Sequence, residues 1–150
     1  DVDRFYEIYA EPEITAHMEN LYDDINEERE FARSYIENMY KFYEYGMWTV
    51  CLKDGTIIGR AGLCHREING ELEIEVGYII DKAYQNKGYA TEAIKASLDY
   101  AKNRLEATHI NAFIRKGNQI SIAVVKKLGF EHIQNAELDG HEYEIYRISY

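Results

Sequence analysis

A chain of 150 residues is long enough for one domain that buries about two thirds of its unfolded surface without metals or disulfides. Its formal net charge of −10 argues against nucleic acid as the main partner, because phosphate backbones are bound by basic surfaces. No apolar run approaches the roughly 20 residues of a membrane helix and no signal peptide is visible, so we expect no membrane association.

The N-terminal part of the chain is predicted to be helical. Phe5, Ile8 and Tyr9 form one apolar stripe, and Pro12 ends that helix because the residue before a proline is pushed out of the helical region. A second helix is predicted from about Asn26 to Tyr43, with Asn26 as its cap. The residues predicted to form its buried face are Phe31, Tyr35, Met39 and Phe42.

An antiparallel meander is predicted next. Its strands run from Trp48 to Leu52, from Thr56 to Cys64 and from Glu71 to Ile80, with Asp-Gly and Asn-Gly as strong hairpin signals between them. The acids Glu71, Glu73 and Glu75 share one face of the third strand. Such a face is usually solvated, but a central strand is covered on both sides, so a glutamate there would need a reason.

The two cysteines are predicted to be free thiols. With two-residue turns, Cys51 pairs with Ile58 and Cys64 pairs with Glu75, so the thiols are not opposite each other. Unpaired cysteines are typical of a reducing compartment, and we expect a cytoplasmic protein.

The segment from Tyr84 to Thr91 joins the third strand to a helix whose small and apolar residues recur at helical spacing between Ala90 and Ala101. The first turn of a helix carries backbone N–H groups without intrahelical partners and a partial positive charge, so it attracts phosphate groups. Gly88 allows the backbone to approach an anion closely. The spacing matches neither a Walker A loop nor a dinucleotide fingerprint, and an ordinary turn is the alternative interpretation.

The rest of the chain continues the alternation of strands and helices. A strand is predicted from Ile110 to Ile114, and a helix opens at Asn118 and ends at the Leu-Gly-Phe sequence that finishes with Phe130. Two closing strands, from Glu131 to Gln134 and from Glu142 to Ser149, are predicted around an Asp-Gly turn.

The region 81–130 holds nine Lys/Arg against four acids in an otherwise acidic chain. This basic island suits a small polyanion and the acidic remainder suits a cationic amine, unless the lysines simply solvate two helices.

This order of elements resembles the acyl-CoA-binding half of the GNAT superfamily of N-acyltransferases over about 60 residues. The pieces EVGYIID, GYATEA and N-x-x-S…KLGF are similar to the branch that acetylates ribosomal-protein N-terminal amines and small amines. The resemblance implies an α+β fold with a central mixed, mostly antiparallel sheet flanked by helices. It also implies one acyl-CoA N-acyltransferase domain over 1–150, lacking the family's first strand and either trimmed at its N-terminus or part of a longer protein.

The resemblance implies acetyl-CoA as co-substrate and no metal. The pantetheine arm would follow the main chain of Tyr78, Ile79 and Ile80, and Asn118 would hold it from the other side. The diphosphate would lie on the amides of the loop and the first helical turn, with Lys87 adding positive charge. The residues in this predicted cradle are Gln85, Asn86, Lys87, Gly88, Tyr89, Ala90 and Thr91.

The resemblance also implies which residues are catalytic. Glu75 matches the acid of the family's E-[IV]-G-Y stretch and is the predicted proton acceptor for the amine, with Glu73 in reserve. Val125 occupies the position where many members carry a tyrosine, so Ser121 becomes the candidate donor to the leaving sulfur. Purely structural roles for Glu75 and Ser121 are the alternatives, and a thiolate can also leave without an acid.

The sequence therefore predicts an N-acetyltransferase that moves an acetyl group from acetyl-CoA to a primary amine by direct attack in a ternary complex. The acceptor would be a small-molecule amine or a peptide N-terminus, and the protein a monomer or homodimer. A non-catalytic acyl-CoA-binding or sensor domain is the alternative, which the missing tyrosine favours. The acceptor wall is predicted to include Tyr40, Phe42, Tyr43 and Tyr45, unless these are ordinary core and rim aromatics.

Overall fold

Six strands form one sheet in the computed structural model, which describes residues 1–150. In chain order they are β1 (Met47–Cys51), β2 (Ile57–Ile68), β3 (Glu71–Ile80), β4 (His109–Arg115), β5 (Glu131–Leu138) and β6 (His141–Ser149). Their order across the sheet is β1-β2-β3-β4-β6-β5, and β3–β4 is the parallel pair among antiparallel ones. The predicted α+β fold with a mixed, mostly antiparallel sheet is confirmed.

The hairpin between β2 and β3 has the predicted register. Asn69 and Gly70 have φ of +52° and +78°, which matches the twist of a two-residue turn, and Cys64 lies opposite Glu75. The first hairpin differs, because a bulge after Val50 places Cys51 opposite Ile57 instead of Ile58. Both cysteines are free.

The helices flank the sheet. They are α1 (Val2–Tyr9), α2 (Pro12–Thr15), α3 (Ile25–Tyr35), α4 (Lys41–Tyr43), α5 (Tyr89–Arg104) and α6 (Gln119–Lys127). A π-helical turn, Ile36–Tyr40, joins α3 to α4, and a 3-10 turn, Lys82–Tyr84, comes after β3. None of these helices has both the length and the apolar character needed to cross a membrane.

The predicted second helix is present, but two details of its prediction are wrong. Its cap is Asp24, whose carboxylate accepts the N–H of Asn26 at 2.7 Å. Phe31 and Phe42 are 48% and 79% exposed instead of buried. The π-helical turn adds a residue to one turn and rotates the residues after it, so an apolar stripe extrapolated at 3.6 residues per turn loses its register before Phe42.

The main core lies between the sheet and the helices α5 and α6. Ile94 and Leu98 of α5 and Val125 of α6 pack there with sheet residues such as Leu63 and Ile110. A smaller cluster on α1, formed by Phe5, Ile8 and Tyr9, packs against Ile79 near the end of β3. The two clusters hold β3 and the loop after it in place from both sides.

Candidate active site

The parallel strands β3 and β4 pair at a single position, Glu75 with Asn111. Beyond Glu75 the stretch from Val76 to Ile80 has no β4 partner, so the sheet opens into a wedge at the carboxyl end of β3. The side chains of Ile79 and Ile80 are buried in the core, and this part of β3 therefore presents its main chain to the wedge. The wedge is part of an open cavity of about 1400 Å³.

The loop after β3 is fixed by its own side chains. Asp81 accepts the N–H of Ala83 at 3.1 Å, and the amide of the Gln85 side chain donates to the Ile80 carbonyl at 2.9 Å. The backbone N–H of Gln85 donates to the Lys82 carbonyl, which ends the 3-10 turn. This N–H is occupied, so the run of free amides begins at Asn86, and Gln85 stays a predicted coenzyme contact.

Six consecutive backbone N–H groups, from Asn86 to Thr91, have no protein acceptor. The first helical bond of α5 is donated by Glu92 to the Gly88 carbonyl, and no side chain caps this helix. Gly88 has a φ of +87°, and a Cβ built on it would meet no atom within 4 Å. Free amides, a helix dipole and open space thus coincide at the mouth of the cavity.

Lys87 is exposed in the same loop, and its Nζ lies 5.6 Å from the centre of the Tyr84 ring. Its side chain pairs with no carboxylate. The positive charge beside the free amides is therefore not neutralised by the protein.

Across the wedge, Asn118 caps α6 through its side-chain oxygen, which accepts the N–H of Ser121 at 3.3 Å. The Asn118 side-chain N–H groups have no protein acceptor and remain for a ligand. The Tyr78 hydroxyl donates to Ser121 Oγ at 3.0 Å, and burial raises the pKa of Tyr78. The phenol beside Ser121 was not predicted, although Tyr78 belongs to the E-V-G-Y stretch. Val125, in the position of the missing tyrosine, is 1% exposed in the core.

Glu75 lines the cavity with its carboxylate held on one side. Its Oε1 accepts the Cys64 thiol at 3.2 Å and Arg66 Nε at 3.3 Å, while Oε2 has no protein donor. The Arg66 guanidinium lies over the rings of Phe113 and Tyr143, 5.0 and 5.2 Å from their centres. Burial and the Glu75 charge raise the pKa of Cys64 well above its usual range, so this thiol stays protonated.

Glu73 lies on the same face but outside the cavity. Its carboxylate contacts His109 Nε2 at 2.6 Å, the Asn111 amide at 2.9 Å and Arg147 Nη2 at 3.4 Å. Both oxygens are engaged, and Asn111 is fully buried between them and Arg147. Glu73 therefore has no oxygen without a protein partner, and of the two predicted bases Glu75 is the one that lines the cavity.

The predicted acceptor-wall aromatics do not line the cavity. Tyr40 donates to the Met47 carbonyl at 2.5 Å, Tyr43 and Tyr45 pack at the main core, and Phe42 is exposed. The aromatic residues that line its wall on the helical side are contributed by α1, by the loop before α3 and by α3 itself. On this helical side of the cavity they are Tyr9, Tyr22 and Phe31, and the sheet side and the loops add further aromatic residues, which are Tyr78, Tyr84, Tyr89, Phe113 and Tyr143.

The five histidines are scattered, and no three His, Cys, Asp or Glu side chains are arranged to hold a metal ion.

Comparisons with known proteins agree on one family. A profile of the GNAT acetyltransferase domain matches residues 1–131. The chain is 28% identical to YkkB of Bacillus subtilis over 83% of this chain and 72% of that protein. It is 33% identical to YjcK of Bacillus subtilis, named a probable N-acetyltransferase, over 73% of this chain and 60% of that one.

Solved structures show the same fold. A ribosomal-protein-alanine N-acetyltransferase from Brucella melitensis superposes with a TM-score of 0.77 at 17% identity, covering 100% of this chain and 94% of that one. YncA from Salmonella typhimurium, solved with its cofactor acetyl-CoA, gives a TM-score of 0.75 at 18% identity, covering 99% of this chain and 88% of that one. With the profile spanning most of its length, the chain belongs to the GNAT family of acetyl-CoA-dependent acetyltransferases.

Proposed function

We propose that this chain transfers an acetyl group from acetyl-CoA to a primary amine by direct attack within a ternary complex. The observation that carries the proposal is the run of free amides from Asn86 to Thr91, which faces open space beside an unneutralised Lys87. A diphosphate is the ligand that such a helix N-terminus suits. The unpaired edge of β3 from Val76 to Ile80 extends from this point and suits the amide groups of a pantetheine arm.

Glu75 has the geometry to receive the proton of the acceptor. A primary alkylamine has a pKa near 10.4, so at pH 7 it is almost entirely protonated and cannot attack. In the proposed step its proton passes through a water to the free Oε2 of Glu75, while Arg66 and Cys64 hold Oε1. The amine nitrogen then forms its bond to the acetyl carbonyl carbon, and the carbon–sulfur bond breaks.

Ser121 and Tyr78 have the geometry to protonate the departing sulfur. The Tyr78 hydroxyl donates to Ser121 Oγ, which leaves the Ser121 proton free to point away from Tyr78. Ser121 would donate this proton to the thiolate and recover one from Tyr78. The second proton, which the nitrogen loses as the amide forms, would return through water to Tyr78, and Glu75 would release its proton to solvent. The pair would thus stand in for the tyrosine that Val125 replaces.

The acceptor class is part of the proposal. Solved relatives of this fold include enzymes that acetylate ribosomal-protein alanine and spermidine. The acidic composition and the aromatic wall of the cavity favour a cationic amine or a peptide N-terminus here. A non-catalytic acyl-CoA sensor is the second candidate, favoured by Val125 at the position of the usual acid.

One experiment separates these functions. The protein is mixed with acetyl-CoA and each member of a panel of amines and peptides, and free thiol release is followed while coenzyme binding is measured by calorimetry. Binding with thiol release that depends on an amine is expected. Saturable binding with no release from any amine would favour the sensor, and absence of binding would contradict both.

A further inference from the structure

Glu28 is a buried carboxylate in the wall of the cavity. It lies in the first turn of α3 with 6% of its surface exposed, and it lines the cavity together with Tyr22 and Phe31. Its Oε2 accepts the backbone N–H of Tyr22 at 3.0 Å. Its Oε1 has no protein donor, so one carboxylate oxygen is left for a ligand.

Glu28, on helix α3, has no cation beside it, in contrast to the sheet carboxylates Glu73 and Glu75. Glu73 is paired with Arg147, and Glu75 is paired with Arg66. No Lys, Arg or His nitrogen lies within 4 Å of Glu28. A buried charge is costly unless it is paired, and the dipole of α3 offsets only part of that cost.

Arg60, one of the cations that line the cavity, is committed to Tyr9. Arg60 donates through Nε to the Tyr9 hydroxyl at 2.9 Å, and its guanidinium lies 5.2 Å from the ring centres of Phe5 and Tyr9. Burial raises the pKa of Tyr9, the Arg60 charge and hydrogen bond lower it, and the Glu28 charge adds a smaller upward contribution. Tyr9 packs against Ile79, and Tyr9 and Glu28 both line the cavity.

The surroundings of Glu28 suit an alkylammonium group. Tyr22 and Phe31 meet edge to face with ring centres 5.7 Å apart, and they are 50% and 48% exposed. Aromatic faces beside a desolvated carboxylate attract an ammonium both through the ring quadrupole and through the ion pair. The exposed acids Asp23, Asp24 and Glu27 add to the negative potential at this end of the cavity.

We propose that Glu28 binds an ammonium group of the acceptor other than the amine that is acetylated. The attacking amine must be neutral, whereas the partner that compensates Glu28 must keep its positive charge throughout the reaction. The acceptor is therefore a diamine or a peptide with a second cationic group within reach of its reactive amine. This assignment rests on the proposed function, but the binding of the second cation can be tested without turnover.

The test compares 1,4-diaminobutane with butylamine, which lacks the second ammonium. Calorimetry at about 0.15 M salt, with coenzyme A present, measures both affinities for the wild type, Glu28→Gln and Glu27→Gln. The glutamine side chain of Glu28→Gln keeps an oxygen for the Tyr22 N–H, and Glu27 is the exposed neighbour that controls for overall charge. We expect the wild type and Glu27→Gln to prefer the diamine by roughly tenfold or more, and Glu28→Gln to lose that preference.

Two results would overturn the assignment: a wild type that binds both amines equally, or a Glu28→Gln variant that keeps the diamine preference. A lower melting temperature in Glu28→Gln with unchanged preference would show that Glu28 only fixes the Tyr22 loop. Thiol release in parallel samples, in which acetyl-CoA replaces coenzyme A, reports on the proposed function separately. Glu28-dependent diamine binding without release would leave the cation site standing and contradict catalysis.

Discussion

Arg66 Nε lies 3.3 Å from Glu75 Oε1, and the Arg66 guanidinium is held over the rings of Phe113 and Tyr143. This pair fixes the Glu75 carboxylate at the one position where β3 meets β4, directly below the point where the strands separate. The ion pair thus explains how a glutamate is tolerated in a central strand, and its geometry leaves the second oxygen facing the cavity.

Glu75→Gln is expected to lower kcat by roughly a hundredfold at pH 7 and by much less at pH 9. The reason is that about a hundred times more of an alkylamine is already neutral at the higher pH. Steady-state rates over pH 7 to 9 measure the effect. Glu73→Gln is the matched control, because it removes the neighbouring carboxylate outside the cavity, and it should lower stability while leaving the shape of the pH profile unchanged. An equal loss at both pH values in Glu75→Gln would argue against a role as base.

Gly88→Val is expected to weaken acetyl-CoA binding by at least about a hundredfold, because the new side chain fills the open space in front of the free amides. Gly55→Val is the matched control. Gly55 also has a positive φ, +91°, with no atom within 4 Å of the position that a Cβ would occupy, but it lies in the first hairpin. Backbone strain is therefore similar in both variants, and calorimetry isolates the steric effect. Equal affinity in the two variants would refute the placement of the diphosphate.

Ser121→Ala is expected to lower kcat with little change in KM for acetyl-CoA, and Tyr78→Phe is expected to lower it by a smaller factor. Ser121 is placed to donate to sulfur, whereas Tyr78 acts through Ser121. A thioester analogue with a more acidic leaving thiol should recover most of the rate in both variants, since it needs less protonation. Failure of this recovery would point to a packing role for the pair.

Cys51 is exposed and is expected to react with a thiol reagent at pH 8, whereas Cys64 should not react until the protein unfolds. Burial and the Glu75 charge raise the pKa of Cys64, so the folded state keeps its proton at a pH where the unfolded chain loses it. This contribution to stability is present below about pH 8.5 and is lost as the pH rises through the raised pKa. Between pH 8 and 10 the free energy of unfolding, measured by denaturation, should therefore fall less steeply with pH for Cys64→Ala than for the wild type. Fast labelling of Cys64 in the native protein would contradict the raised pKa.

Much of the fold could be predicted from local signals. The Asn69-Gly70 turn determines the register that places Cys64 opposite Glu75, because two-residue turns leave no freedom in strand pairing. The same reasoning from a two-residue turn did not predict the bulge after Val50. A bulge depends on packing, and the Asp54-Gly55 dipeptide carries no signal for it. The exposed Phe31 was missed because the cavity it lines is made by segments distant in sequence.

The site was predicted less completely than the fold. Gly88 and the small Ala90 indicate a loop open to an anion, but whether the Gln85 amide is free depends on the 3-10 turn that uses it. The choice between Glu73 and Glu75 could not be made from alternation alone, because both point to one face. The residue that separates them is Arg147, which approaches Glu73 from a strand at the far end of the chain.

The central claim is that the amides from Asn86 to Thr91 bind the diphosphate of the coenzyme, and nuclear magnetic resonance observes these amides directly. Titration of the labelled protein with coenzyme A should shift these six N–H resonances with saturation, whereas pantetheine, which lacks the diphosphate, should shift those of the β3 edge from Val76 to Ile80 and leave the six unchanged. Coenzyme A that binds without moving the resonances of Asn86 to Thr91 would contradict the claim.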